Sequence, residues 1–268
     1  MSIKEIKSAY KAEKRKIQST YKVKKTENRK EYKSAVLSIK EKRIADVSDV
    51  IQASGKKPVQ NPPKRALLEE IGNAVTHGAG SVFAVFAIIF MLINAETTRE
   101  RIGAWVYFFG LFVMFTMSCL YHAFPHGSCV KRIFRRFDYS CIYLLIGATF
   151  APILLSYIGG VFGLVFFIVQ WAVIITGITF VAVYGPGRLR FLHIPLYIIL
   201  GWCGIVFMPR MLANDPWFCF YILGGGVVYS LGIIPFTMKA KVSHFIWHFF
   251  VLAGAVLQWV GVYMHVYL

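Results

Sequence analysis

From Leu67 to the C-terminus the chain alternates between long apolar runs and short polar breaks. A helix needs ~20 apolar residues to cross a bilayer. Seven runs approach that length, at 72–94, 103–124, 133–157, 161–184, 191–209, 217–238 and 244–266. The breaks are A-E-T-T-R-E-R, P-H-G-S-C-V-K-R, Y-I-G-G, G-P-G-R-L-R, R-M-L-A-N-D-P and K-A-K. Y-I-G-G is polar only through its glycines, so the third and fourth runs are the least clearly separated. Before Leu67 the pattern reverses. Residues 1–52 are rich in charge, and Ile6, Tyr10, Ile17, Tyr21, Tyr32, Val36 and Ile39 recur irregularly. That reads as a charged helix or helical hairpin with a weak amphipathic signal. A linker follows, A-S-G-K-K-P-V-Q-N-P-P-K-R, in which Gly55, Pro58, Pro62 and Pro63 forbid a continuous helix. The expected architecture is an all-α membrane protein. A basic helical tail and Pro-rich linker at 1–66 precede a seven-transmembrane helix bundle at 67–268.

Composition agrees with that pattern. The chain of 268 residues is 57% hydrophobic, with a mean hydropathy of +0.56, against about 45–50% apolar for a soluble domain. Charge separates the two parts. Residues 1–66 hold 19 of the 30 Lys and Arg and 7 of the 13 Asp and Glu, a net of +12. Such a tail is suited to anionic lipid headgroups, at about 1 kcal/mol per basic residue near the surface. A solvated tail that only enforces topology has the same composition. Nucleic acid is not an expected partner, because no aromatic platform interleaves the basic residues. No secretory signal precedes the first run, which is therefore expected to direct insertion itself. The five cysteines contain no C-x-x-C and read as small buried apolar residues.

Loop charge orients the bundle. With the tail in the cytoplasm, the inner loops carry Lys131, Arg132, Arg135, Arg136, Arg188, Arg190, Lys239 and Lys241. The outer loops carry Arg99, Arg101 and Arg210. The expectation is N-in and C-out in the cell membrane, opposite to the G-protein-coupled receptors that share the helix number.

Five polar residues interrupt the apolar runs where ionisable groups are expensive: Ser118 and His122 in S-C-L-Y-H, Asp138 in R-R-F-D-Y, and His244 and His248 in H-F-I-W-H. Two pairs are spaced i, i+4 and so share a helix face. Alternating crossing directions put the end of run two and the starts of runs three and seven at one end of the bundle. Three imidazoles with a carboxylate and a hydroxyl are what a catalytic Zn²⁺ site with an open position requires. Asp138 is then the candidate general base and Ser118 the group that orients water. Each element has a plainer reading. Two interfacial histidines also give H-x-x-x-H, Ser118 can bond its own helix carbonyl, and Asp138 can cap its helix or pair with Arg135 or Arg136. His77, in N-A-V-T-H-G, sits shallow in run one and reads as a supporting residue or a hydrogen-bond donor. His126, His193 and His265 read as interfacial.

With E-E-I-G-N-A-V-T-H-G-A-G opening run one, S-C-L-Y-H closing run two, Asp138 opening run three and H-F-I-W-H opening run seven, the chain resembles the hemolysin III family. This is the bacterial branch of the progestin and adipoQ receptor family. The resemblance covers roughly residues 67–268, and the tail has no counterpart in it. It implies a seven-helix bundle with a cytoplasm-side zinc held by His122, His244 and His248, and with Ser118 and Asp138 contacting the zinc's water. It also implies kinship with the alkaline ceramidases. Three function classes follow: a zinc-dependent hydrolase of a lipid amide or ester, a pore-forming cytolysin as the family name suggests, and a receptor or sensor with structural zinc. The G-G-G at 224–226 suits either close helix approach or a lipid-accessible slot.

Overall fold

The computed structural model describes residues 2–22, 29–53, 61–187, 189–238 and 240–268. Gly55 and Pro58 of the linker, and Arg188 and Lys239 of the loops, lie outside the described residues. The chain forms two compact units, Met1–Gln60 and Asn61–Leu268.

The first unit is a pair of packed helices, α1 (Ile3–Lys22) and α2 (Arg29–Ala53). Ser2 and Glu5 open α1 with reciprocal bonds. The Glu5 amide donates to the Ser2 hydroxyl at 3.3 Å, and the Ser2 amide to the Glu5 carboxylate at 2.6 Å. The Arg43 guanidinium lies 4.7 Å from the Tyr10 ring centroid. Ile3, Ile6, Tyr10, Lys14 and Ile17 are the sheltered positions of α1 and lie on one face. The amphipathic signal of the first helix is thus stronger than its irregular run of apolar letters suggests, because the stem of Lys14 completes the stripe.

Among the described residues, the second unit contains seven helices long and apolar enough to cross a membrane: Leu67–Asn94, Thr98–Ala123, Cys129–Ile158, Gly160–Tyr184, Phe191–Asn214, Pro216–Thr237 and Ser243–Tyr267. They are built on α3 (Leu67–Asn94), α4 (Thr98–Ala123), α5 (Cys129–Pro152), α6 (Gly160–Tyr184), α7 (Arg190–Trp202), α8 (Met208–Asn214), α9 (Pro216–Thr237) and α10 (Ser243–Val262). No strand occurs among the described residues. Helix α4 packs between α3 and α5, α9 against α10, and α10 returns to α3, which closes the bundle. Tyr107, Phe115, Leu145, Ile153 and Val251 fill its interior, while Phe86, Phe109, Ile168 and Phe191 point outward. An outer surface this apolar suits lipid.

The polar breaks do local work. Thr97 and Glu100 form a capping box on α4, Ser128 caps α5, and Asp215 caps α9. Gly159 and Gly160, both at positive φ, separate the third and fourth spans. That conformation is open to glycine at little cost, so the weakest break in the hydropathy pattern is a true turn. The first span starts at Leu67 rather than at 72, because Glu69 and Glu70 belong to the helix. Acidic residues favour a helix N-terminus, and Glu69 also pairs with Arg65 at 3.7 Å. The fifth span runs on past 209 through a 3₁₀ stretch (Cys203–Phe207) into α8, and Pro209 sits in the first turn of α8, where a missing N–H costs little.

Close approach depends on small residues. A Cβ on Gly110 would collide with that of Ala148 and sit 3.0 Å from the Leu144 carbonyl. Gly110→Val should therefore force α4 and α5 apart and cost about 1–3 kcal/mol, the usual range for an overpacked core. Thermal unfolding of the purified protein in detergent measures this, and an unchanged midpoint would refute the contact.

Candidate metal centre

The site forms where the end of α4 meets the start of α10. The last turn of α4 carries His122, with Ser118 one turn earlier. The carbonyls left over at this helix end are taken by one side chain. Lys131, 0% exposed, reaches back from α5 and donates its Nζ to the carbonyls of Tyr121 at 3.0 Å, Phe124 at 3.0 Å and His122 at 3.5 Å. Val242 begins α10 in the left-handed region at φ 57°. For a β-branched residue this is a strained conformation, and it starts the helix directly before His244. Two turns of α10 then present His244 and His248 on one face.

The three histidines gather. Ring centroids are 4.8 Å apart for His122–His248 and His244–His248, and 5.2 Å for His122–His244. Each offers one ring nitrogen such that all three atoms lie within 4.8 Å of one another. The surroundings fit a metal. His122 Nε2, His244 Nε2 and His248 Nδ1 are buried without a hydrogen-bond partner. Three imidazoles gathered this closely, each with one nitrogen that no protein group bonds, match the donor set of a zinc site.

Asp138 and Ser118 face each other. Together with His77, His244 and His248 they line a cavity of about 130 Å³ that runs among α5, α7, α9 and α10. Its remaining wall is mostly apolar, including Leu145, Phe150, Ile198, Ile233 and Val251. Small-molecule sites usually measure about 300–1,000 Å³, so this cavity is small for one. Gly226 borders it, and Gly225 meets the Gln258 side chain of α10, so the G-G-G segment serves both close approach and the cavity. His77 stacks on His248 with centroids 3.7 Å apart and meets Phe115 edge-on.

Several partners were not foreseen from the residue pattern. Glu70 of α3 reaches His122 Nδ1 with Oε2 at 2.6 Å and Lys131 Nζ with Oε1 at 3.1 Å. Asn73 Nδ2 is 3.2 Å from the same His122 nitrogen. Glu70, Asn73 and His77 stand at i, i+3 and i+7, so a polar stripe along an apolar helix was the signal that marked them. Two expectations are corrected. His193 is not interfacial: it is 1% exposed and its Nδ1 bonds the Tyr143 hydroxyl at 2.9 Å, because α7 packs on α5 there. Cys129 is exposed, since it occupies the first turn of α5 outside the packed bundle. His126 bonds the Pro62 carbonyl at 3.0 Å, and His265 pairs with Asp215 at 2.6 Å.

The sequence pattern of the family described as "Haemolysin-III related" matches residues 65–259. The chain belongs to the haemolysin III family. It is 34% identical to "Hemolysin-3" of Bacillus cereus over 203 residues, 74% of this chain and 92% of that protein. It is 31% identical to the "Hemolysin-3 homolog" of Bacillus subtilis (strain 168) over 192 residues, 70% of this chain and 89% of that protein. A more distant relative is the human "Monocyte to macrophage differentiation factor", 24% identical over 217 residues, 78% of this chain and 90% of that protein. This haemolysin III protein is a multi-pass membrane protein, and its matched region contains His122, Asp138, His244 and His248.

Proposed function

We propose that this protein is a zinc-dependent hydrolase acting on an amide or ester bond of a lipid. One observation carries the reading: a cluster of three histidines, of which His244 and His248 line an apolar cavity that also contains a carboxylate. His122, His244 and His248 would hold the Zn²⁺. When bound, zinc supplies a Lewis acid and brings the pKa of a water down to about 7. Asp138 takes the proton from the attacking water and returns it to the leaving amine or alcohol. The Ser118 hydroxyl orients that water or donates to the developing oxyanion. His77 supports His248 by stacking. The apolar wall holds the acyl chain and keeps bulk water from the reacting bond. Loop charge supports an N-in, C-out orientation, with the site towards the cytoplasm and the 1–66 tail near anionic headgroups.

The test is a panel of ceramides, phospholipids and acyl-amides presented to the purified, zinc-loaded protein, with released fatty acid quantified by mass spectrometry. Turnover that disappears in Asp138→Asn is the expected result. No release from any lipid would overturn the hydrolase reading. A cytolysin would instead empty dye-filled vesicles in the same preparations.

A further inference from the structure

We infer that Glu70 is a positioning residue for the metal centre and that Lys131 holds it in place, so that metal affinity depends on two residues that touch no metal. The inference rests on the zinc reading above. An imidazole offers two nitrogens, and a neutral ring carries one hydrogen. At 2.6 Å the Glu70 carboxylate claims that hydrogen on His122 Nδ1, and the Asn73 amide nitrogen 3.2 Å from the same atom then makes no hydrogen bond to it. The lone pair is thereby fixed on Nε2, the buried nitrogen without a hydrogen-bond partner, on the ring that gathers with His244 and His248. A carboxylate behind a ligating histidine fixes tautomer and ring orientation and makes the ligand more basic.

A plainer role would be an ion pair that joins α3 to α5. That role needs only the Glu70–Lys131 contact at 3.1 Å, and it leaves Oε2 with no reason to meet His122. Lys131 also has more acceptors than a helix cap requires. An ammonium has three hydrogens, and three carbonyls of the α4 end already lie within 3.5 Å. The fourth acceptor, Glu70 Oε1, locks the carboxylate so that its other oxygen points at the histidine. The Lys131 and His122 side chains are fully buried, and that of Glu70 is 12% exposed. Three helices meet in it: α3 supplies Glu70, α4 His122 and α5 Lys131.

The test is zinc affinity of the full-length detergent-purified protein, measured by competition with a chelator. The absorption spectrum of the cobalt-loaded protein gives a second readout. Glu70→Ala should weaken zinc by about 10–100-fold, as loss of such outer partners usually does. Glu70→Gln keeps an acceptor for Nδ1–H and should recover most of that loss. Lys131→Met should weaken zinc although Glu70 is intact, and Glu70→Ala/Lys131→Met should be no worse than Glu70→Ala, because coupled residues are not additive. The cobalt spectrum should shift in Glu70→Ala and Lys131→Met. Glu69→Gln, one residue away and paired with Arg65, should leave affinity and spectrum unchanged. If Glu70→Ala does not fold, Glu70→Gln and Lys131→Met carry the comparison. Wild-type affinity and spectrum in the Glu70 and Lys131 variants would overturn the inference and leave the zinc reading standing. A folded wild type that binds no metal would overturn both.

Discussion

Alanine at both His244 and His248 is expected to remove bound zinc entirely, from near one ion per chain to none, and to lower the melting temperature. The two residues supply two of the three bare nitrogens, and a lone His122 cannot hold the ion. Metal bound only to the folded state stabilises it by mass action, about 4 kcal/mol when free metal stands a thousandfold above Kd. For a chain of this size each kcal/mol moves the midpoint by roughly 2–4 °C, so the loss should be of order 10 °C. Chelating the wild type should reproduce the shift, and chelating the double variant should do nothing further. His126→Ala, whose ring bonds the Pro62 carbonyl, should keep its zinc. Elemental mass spectrometry and a thermal scan decide the matter. A metal-free wild type, or one whose midpoint ignores chelator, would end the zinc reading.

The second large effect belongs to Asp138→Asn. The change keeps the shape and removes the carboxylate that faces Ser118 and lines the cavity. Zinc content should stay at the wild-type level while hydrolysis falls by about 10²–10⁴-fold, the usual contribution of a positioned acid or base. At 1.36 kcal/mol per decade this is roughly 3–5 kcal/mol of barrier. The fall should be in kcat, because the apolar wall that binds the chain is untouched. Full turnover by a zinc-loaded Asp138→Asn would remove the carboxylate from the mechanism. Ser118→Ala should show a smaller loss in the same assay.

The architecture was readable because the bilayer imposes one length on every crossing helix. The gathering of His122, His244 and His248 was readable too, since alternating spans bring the end of the second and the start of the seventh to the same end of the bundle. Their side-by-side placement was not, because only the packing of α10 against α3 and of α3 against α4 creates it. Glu70 and Lys131 escaped for a related reason. Along one dimension a charge marks a break, and only contact across helices turns two charges into a buried pair. His193 was misplaced because its neighbours in the chain are basic, whereas its neighbour in space is Tyr143.

The order in which the chain leaves the ribosome bears on the centre. His122 ends the second apolar helix, His244 and His248 open the seventh, and four further apolar helices lie between them among the described residues. A nascent chain stalled before Ser243 has Glu70, Lys131 and His122 ready yet holds a single candidate ligand. On the zinc reading, an ion can meet all three imidazoles only after the seventh helix has been inserted. A bound ion would then report that the seventh helix has joined the second in the bundle, and chains halted before Ser243 would lack it.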